Sequence, residues 1–231
     1  MTIQRSNWYQ LTAKLSLSEI SEKLRESKYQ QSDPFGFDLI SIAGESVLAK
    51  YSEKFTHIDS YLNIYGDEVT SESIRYKIVK FSITEIHLNK YLIHVENTPR
   101  SSISMFSNLE NTLKCDISLS PISIPIIDLL NTLTENPKIR QFKIKKAMFS
   151  GIAISTKSRA RIEITSSQNA LTDFNHKYKV EGYVVDKLNC HFRYNGEDVS
   201  LELRKTGSVS HSKKLTTLLN AELLNVAKKK H

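Results

Sequence analysis

The chain has 231 residues, of which 39% are hydrophobic and 25% are charged, and its formal net charge is +7. These proportions exclude a globally disordered chain, and a chain of this length buries about 70% of its unfolded surface without help from disulfides. The excess positive charge lies in the second half: residues 1–115 hold 13 Lys and Arg against 14 Asp and Glu, whereas residues 116–231 hold 19 against 11.

The first part of the chain predicts one helix within a series of strands. Alternating residues predict a strand over 7–15, and a capping box of Ser16 and Glu19 predicts a helix over 17–27. A polar loop then leads to segments rich in Ile, Val, Tyr and Phe at a period of two. This pattern predicts an antiparallel meander with strands over 37–42, 47–55, 61–65, 75–84 and 90–96.

The middle of the chain is expected to be helical. Apolar residues at helical spacing predict a helix over 101–113. A second helix has Pro125 in its first turn and is ended by Asn136-Pro137. Between the two helices, residues 115–119 predict a short strand.

The last third returns to strands, expected over 139–149, 158–165, 178–186, 190–194 and 197–204. Asn195-Gly196 separates the last two strands, and because both residues accept a positive φ they predict a type I′ hairpin. Short helices are expected around 169–176 and over 213–228. Gly207 and the serines after it are expected to leave His211 in a mobile loop.

Together these elements predict an α+β fold, mainly antiparallel sheet with several short helices. We expect a single compact protein over residues 1–231, with a sub-division near 101–136. The segment 75–80 resembles the segment 141–146, and each is followed by a second strand and then a helix. This internal similarity raises the hypothesis of two similar β-β-α units.

A run of cations without any carboxylate occupies residues 136–162. Side chains alternate between the two faces of a strand, so Phe142 and Ile144 are expected on one side and Lys143 and Lys145 on the other. The sequence therefore predicts an apolar face and a cationic face on two neighbouring strands, with the cations uncompensated. The candidate nucleic-acid-binding residues are the cations of this run: Lys138, Arg140, Lys143, Lys145, Lys146, Lys157, Arg159 and Arg161.

Like charges opposite one another across strands destabilise a sheet by up to about 1 kcal/mol per pair, so a face that keeps them is expected to meet an anion. The phosphate backbone of DNA or RNA is the first hypothesis, because neutralised phosphates release counterions. The alternative is a solvated sheet face whose lysines discourage edge-to-edge aggregation. No aromatic residues are interleaved as in RNP-type motifs, so backbone contacts rather than sequence readout are expected.

The sequence has none of the usual nucleotide-binding, hydrolase or metalloprotease motifs: GxxxxGK[ST], GxGxxG, GxSxG and HExxH are all absent. We therefore expect no catalytic residue, no metal and no cofactor. His57 with Asp59 and His94 with Glu96 each have a spacing compatible with metal or acid–base chemistry. A structural pair on a strand explains each of them more simply.

Two patterns resemble nuclease signatures. Arg204 and His211 resemble the Arg-x(4–6)-His signature of HEPN-type ribonucleases, which implies an RNA-cleaving pair, although here the pair follows a strand rather than lying on a helix. Asp198 and Glu202 resemble the end of the PD-(D/E)xK nuclease pattern, but Arg204 stands where that family has lysine. A guanidinium that stays protonated does not replace a lysine there. A divergent nuclease is the last of the functional alternatives.

The first functional hypothesis is a non-enzymatic protein that contacts nucleic-acid phosphates through the basic strand face of the C-terminal half. An accessory or assembly subunit of a microbial or phage-defence complex, binding an acidic protein, is the main alternative. The two hypotheses differ in partner: the first requires DNA or RNA, and the second requires a stoichiometric protein.

Localisation and oligomeric state also have sequence signals. Cys115 and Cys190 lack a CxxC partner and are expected to be buried free thiols, and the first residues contain no apolar segment, so we expect a cytoplasmic protein. No segment is apolar enough to predict a membrane partner. The leucine stripe of the terminal helix predicts a core position or, alternatively, a homo-oligomer seam.

Overall fold

The computed structural model describes residues 2–99, 101–180 and 182–229, without the side chain of Lys229. Within these residues the chain forms eleven strands and five α-helices, and the ladders are antiparallel, which confirms the α+β prediction. The chain divides into two compact units. The N-terminal unit is Leu11–Ser118, and the C-terminal unit comprises residues 1–10 and Leu119–His231. The boundary at Ser118 falls within the interval 101–136.

The N-terminal unit is a meander with two helices. Its strands follow the order β2-β3-β4-β5-β1, in which β2 to β5 form the predicted meander and β1 lies beside β5. The residues that the sequence assigns to a strand over 61–65 are instead the end of β3 and the turn after it. The elements are β1 (Ile3–Ala13, in part), α1 (Leu17–Glu26), β2 (Phe35–Ala43), β3 (Ser46–Leu62), β4 (Glu68–His87), β5 (Lys90–Glu96), α2 (Ile103–Leu113) and the first two residues of β6 (Ile117–Pro121).

The core of this unit lies on one face of the meander. Phe37, Tyr51 and Phe81 are fully buried there, and the ring of Phe37 lies 5.2 Å from Tyr51 and 6.0 Å from Phe81. Helix α1 packs against β2 and β3. It begins with the predicted capping box, in which the Ser16 hydroxyl accepts from the Glu19 amide and the Glu19 carboxylate accepts from the Ser16 amide at 2.7 Å.

The C-terminal unit has the strand order β1-β11-β10-β9-β7-β8. The strand predicted from residue 178 begins only at Val184 and continues through the strand predicted over 190–194 as one strand, β9. The predicted loop around His211 is a strand, β11. The elements are α3 (Ile126–Glu135), β7 (Ile139–Ala153), β8 (Arg159–Thr165), α4 (Ala170–Tyr178), β9 (Val184–Tyr194), β10 (Glu197–Arg204), β11 (Ser208–Ser212) and α5 (Thr216–Lys229).

The predicted Asn195-Gly196 hairpin joins β9 to β10. Asn195 has φ 52° and Gly196 has φ 83°, the two positive values that a type I′ turn requires. Glu197 pairs with Tyr194 directly after the turn. This hairpin is confirmed and fixes which residues of β10 lie opposite β9.

Helices cover one face of the C-terminal sheet. Phe149 of β7 stacks on Phe174 of α4 with ring centroids 3.8 Å apart. In the leucine stripe of the terminal helix Leu215, Leu219 and Leu223 are buried, whereas Leu218, Leu224 and Val226 are partly exposed, so the homo-oligomer seam stays a prediction. Cys190 is also buried, and burial raises the pKa of its thiol to about 12.

Gly207 shows why the chain can turn between β10 and β11. Its φ is +85°, and a Cβ at this position would lie 2.7 Å from the carbonyl oxygen of Ile122. Trp8 donates its amide to the Gly207 carbonyl at 3.3 Å. A glycine is needed here both for its backbone conformation and for this close approach.

The two predicted β-β-α units have the expected element order. β4 and β5 precede α2, and β7 and β8 precede α4. Their strands differ in environment, because β5 lies inside the sheet order with five successive buried residues, whereas β8 is an edge strand whose side chains alternate in exposure. The similarity therefore concerns connectivity rather than packing.

The two faces of β7 yield a test of the packing. Ile144 is only 2% exposed and pairs with buried Cys190, so Ile144→Asp should place an unpaired carboxylate in the core and lower the free energy of unfolding by several kcal/mol. Lys143→Asp introduces the same side chain one residue away on the exposed face, where changes stay within about 0.5 kcal/mol. Urea unfolding measures both. Equal destabilisation by the two variants would contradict the separation of the faces, and greater destabilisation by Lys143→Asp would mean that the faces are reversed.

Candidate nucleic-acid interface

Strand β7 separates a buried face from an exposed face, as its alternation predicts. Ile144, Ala147 and Phe149 are buried, whereas Arg140 and Lys143 are exposed. The strand is not regular, because its pairing with β9 shifts register after Arg140, after Ile144 and after Met148. Each shift marks a β-bulge, in which an extra residue re-aims the side chains around it.

The predicted cations of β7 and β8 do not lie opposite one another. β8 pairs only with residues 146–153 of β7, so Arg159 faces Ala153 and Lys143 lies beyond the end of β8. The turn after Ala153 sets this register, and β8 has 7 residues against the 15 of β7. The expectation that these cations form one array of neighbouring charges is therefore wrong.

Carboxylates from outside the cationic run compensate two of its members. Lys146 forms a salt bridge of 2.8 Å with Glu163, which lies on the neighbouring strand. Arg161 lies 3.6 Å from Asp186 of β9. The expectation of eight uncompensated charges fails at these two positions, because strand pairing brings in carboxylates that are distant in sequence or just outside the run.

Five of the remaining six cations form two groups at opposite ends of β7, and Lys145 lies between these groups. Lys157 and Arg159 are exposed at the β7–β8 turn and on the edge strand β8, where charged side chains commonly discourage strand pairing. Lys145 occupies a bulge and donates its Nζ to the Ser167 carbonyl at 3.0 Å. Lys138, Arg140 and Lys143 lie at the other end, beside the hairpin of β9 and β10.

At this end the ladder places two arginines directly opposite one another and a lysine opposite a histidine. Arg140 pairs with Arg193 of β9, and Lys143 pairs with His191. Lys138 adjoins them, because its carbonyl accepts from the Asn195 amide at 3.1 Å. We call these residues the basic cleft: Lys138, Arg140, Lys143, His191 and Arg193.

A shallow surface cavity of about 190 Å³ adjoins the basic cleft, and Lys143, His191 and Arg193 line it whereas Lys138 and Arg140 do not. Gln141, whose φ of 52° is unusual for a residue with a side chain, forms the bulge at its rim. Arg193 is held by a salt bridge of 3.1 Å to Asp198. In the described part of the chain, no carboxylate pairs with Lys138, Arg140 or Lys143. The cavity is lined by Gln141, Lys143, His191, Phe192, Arg193, Asp198 and Val199.

Sequence reasoning missed two members of the basic cleft, His191 and Arg193. Neither belongs to the cationic run, and their position depends on the pairing of β9 with β7, about 50 residues apart in the chain. The Asn195-Gly196 turn indicates where β9 ends, but it carries no information on the strand that pairs with the other edge of β9.

The Arg204 and His211 pair does not form a shared site. Arg204 is exposed on the outer face of β10, whereas His211 is fully buried and pairs with Leu201 on the core face. The Ser212 carbonyl can only accept, so His211 Nδ1 donates to it at 3.0 Å, and Nε2 accepts from the Ser6 hydroxyl at 3.1 Å. The expected mobile loop is corrected to a strand, and the two side chains lie on opposite sides of the sheet.

The carboxylates that resemble a nuclease pattern are paired with cations of the same unit. Glu202 lies 2.8 Å from both Lys187 and Arg204. Burial opposes ionisation of Glu202, but the bonds from these two cations outweigh it and lower its pKa. Asp198 is the partner of Arg193. Among the described residues, no three His, Cys, Asp or Glu side chains are grouped as metal ligands.

The two histidine–carboxylate spacings have different outcomes. His57 and Asp59 form an exposed contact of 2.8 Å, and Asp59 also accepts from Arg75 at 3.1 Å. His94 is buried within β5. The first pair is thus a surface network of the N-terminal unit, and the second histidine lies in the interior.

No protein-family model matches the sequence, and no curated protein matches it. Among the described residues, no helix combines the length and the apolar character needed to cross a membrane.

The buried His211 makes stability depend on pH. Burial lowers the pKa of His211 below its usual 6.5, although its bond to the Ser212 carbonyl opposes the shift. Below about pH 6.5 the unfolded chain therefore binds a proton that the folded chain does not. The free energy of unfolding should decrease as the pH is lowered, by up to about 1.4 kcal/mol per pH unit. His211→Gln should remove this component of the slope. Urea unfolding between pH 7.5 and 5.5 measures it, and an unchanged slope would contradict the assignment.

Proposed function

We propose that this chain is a non-enzymatic protein that binds the phosphate backbone of nucleic acid at the basic cleft. The observation that carries the proposal is the direct opposition of Arg140 and Arg193 across the β7–β9 ladder. The next exposed pair toward the middle of β7 is Lys143 with His191, so Lys143 adds a further cation to this face. The unit that contains the cleft holds 20 Lys and Arg against 10 Asp and Glu.

The opposed arginines favour an anionic ligand. Directly opposite side chains on two strands have Cβ atoms about 5 Å apart, and like charges at that distance destabilise the pair. Asp198 compensates Arg193, but nothing comparable compensates Arg140 in the described residues. A phosphate between the strands would accept from both guanidinium groups, whose fork of donors fits phosphate oxygens in a bidentate manner.

The aromatic side chains near the cleft support backbone contacts rather than base recognition. Phe192 is buried and stacks on Phe142 with ring centroids 4.9 Å apart, so its face is already occupied. Base stacking on aromatic rings is a main source of affinity for unpaired strands, and phosphate contacts carry no sequence information. We therefore expect binding that tolerates sequence and weakens steeply with salt.

Charge reversal separates the basic cleft from the general positive charge of the unit. Arg140→Glu with Lys143→Glu should weaken binding to a labelled oligonucleotide by more than about tenfold, since charge-assisted hydrogen bonds contribute about 1.5–3 kcal/mol each. The logarithmic salt slope on duplex DNA should lose about 0.9 per phosphate contact removed. Fluorescence anisotropy with duplex DNA, single-stranded DNA and RNA at several salt concentrations measures both quantities.

Lys157→Glu with Arg159→Glu is the matched control, because it changes the net charge by the same amount at the other end of β7. We expect this variant to keep most of the affinity. Equal losses in both variants would show that only net charge matters. If the unmodified protein bound no nucleic acid at low salt, the proposal would be wrong and an acidic protein partner would be the alternative.

A further inference from the structure

The hairpin of β3 and β4 extends well past its neighbouring strands. β2 pairs with β3 only as far as Glu53, and β5 pairs with β4 only from Phe81 onward. Beyond these points, in the described part of the chain, β3 and β4 pair with each other alone, from Lys54 opposite Tyr76 to Leu62 opposite Glu68. We call this two-stranded segment, residues 54–62 and 68–76, the arm.

The two faces of the arm differ in chemistry. One face carries the network of His57, Asp59 and Arg75, with the exposed rings of Phe55 and Tyr61 before and after it. The other face, which we call the apolar arm face, carries large apolar side chains that are about half exposed or more: Ile58 (58%), Leu62 (71%), Ile74 (59%) and Tyr76 (48%). Ile78, at the base of the arm and on the same face, is 63% exposed. Ile58, Ile74, Tyr76 and Ile78 are neighbours on this face, whereas Leu62 lies apart from them beyond Ser60 and Thr70. An isolated two-stranded ribbon is marginally stable in water, and an exposed apolar cluster of this kind marks an interface.

Charges on the apolar arm face are divided by sign along its length. Lys54 lies toward the base, and Lys80 continues the same face below it. Glu72 and Glu68 lie toward the tip. Ile74 is the midpoint of this arrangement. Lys80 and Glu68 are each six residues from Ile74, on opposite sides of it. Glu72 lies two residues from Ile74 toward the tip, and Lys54 lies opposite Tyr76, which is two residues from Ile74 toward the base.

We propose that two copies of this chain pack their apolar arm faces against each other in an antiparallel, two-fold symmetric dimer centred on Ile74. In a two-fold interface every contact occurs twice, and each residue meets the position that reciprocates it. Antiparallel packing around Ile74 lays Lys54 beside Glu72 of the second copy and Lys80 beside Glu68. The apolar side chains between these pairs are then removed from water in both copies.

The same charge pattern argues against other arrangements of two arms. Parallel packing would place the glutamates of the two tips together, and like-charge contacts across an interface cost several kcal/mol. Sliding the antiparallel pair toward the tips would bring Glu72 of one copy against Glu72 of the other copy. The proposal is independent of nucleic-acid binding, because none of these residues belongs to the basic cleft.

Sedimentation velocity of the full-length protein over a range of concentrations tests the dimer. We expect a concentration-dependent equilibrium between monomer and dimer for the unmodified chain and a monomer for Ile74→Asp. Tyr61→Asp is the matched control, because Tyr61 is similarly exposed (55%) but lies on the other face of the arm. It should dimerise like the unmodified chain. A protein that stays monomeric, or equal loss in both variants, would overturn the proposal and assign the face to a different partner.

A reciprocal charge exchange tests the orientation of the two copies. Lys54→Glu alone and Glu72→Lys alone should each weaken dimerisation by about tenfold or more, since each creates a like-charge contact with the second copy. The double variant Lys54→Glu with Glu72→Lys should recover most of the affinity. Lys54 and Glu72 are four ladder positions apart within one arm, so recovery cannot arise from a contact inside one copy. A double variant weaker than both single variants would overturn the antiparallel arrangement.

Discussion

The pairing between β7 and β9 decides which side chains of the C-terminal unit face its core and which face solvent. It aligns buried Ile144 with Cys190 on one side and exposed Lys143 with His191 on the other. The stack of Phe142 on Phe192 fixes the strands beside the bulge at Gln141. The basic cleft exists because this bulge keeps Arg140 on the exposed face, opposite Arg193.

Pairing across strands also decides which charges remain available to a ligand. Glu202 forms salt bridges with Lys187 and Arg204, and Asp186 forms salt bridges with Lys205 and Arg161. Much of the outer face is therefore a network in which carboxylates compensate cations. The unit nevertheless holds twice as many cations as carboxylates. The excess lies near the first residues of β7, where Asp198 of β10 pairs with Arg193 but no described carboxylate pairs with Lys138, Arg140 or Lys143.

Local patterns predicted much of this fold because they depend on neighbours in sequence. The capping box of Ser16, the Asn195-Gly196 turn and the alternation around Ile144 each involve only a few consecutive residues. The bulges of β7 and the register of β8 depend on partners far along the chain, which is why Arg193 was missed and Arg159 was grouped wrongly with Lys143. His211 was misplaced because its serine-rich surroundings are typical of a loop, although Ser6 and the Ser212 carbonyl satisfy its ring in a strand.

An NMR titration of the isotopically labelled protein with a short oligonucleotide tests the central claim most directly, because it locates the contact without changing any residue. The account expects the arginine side-chain signals of Arg140 and Arg193 and the amide signals of residues 138–143 to shift together with increasing ligand. The signals of Arg159 and Arg161 should stay nearly constant. Shifts confined to Arg159 and Arg161, or no shifts at low salt, would contradict the assignment of the basic cleft as the phosphate-binding surface.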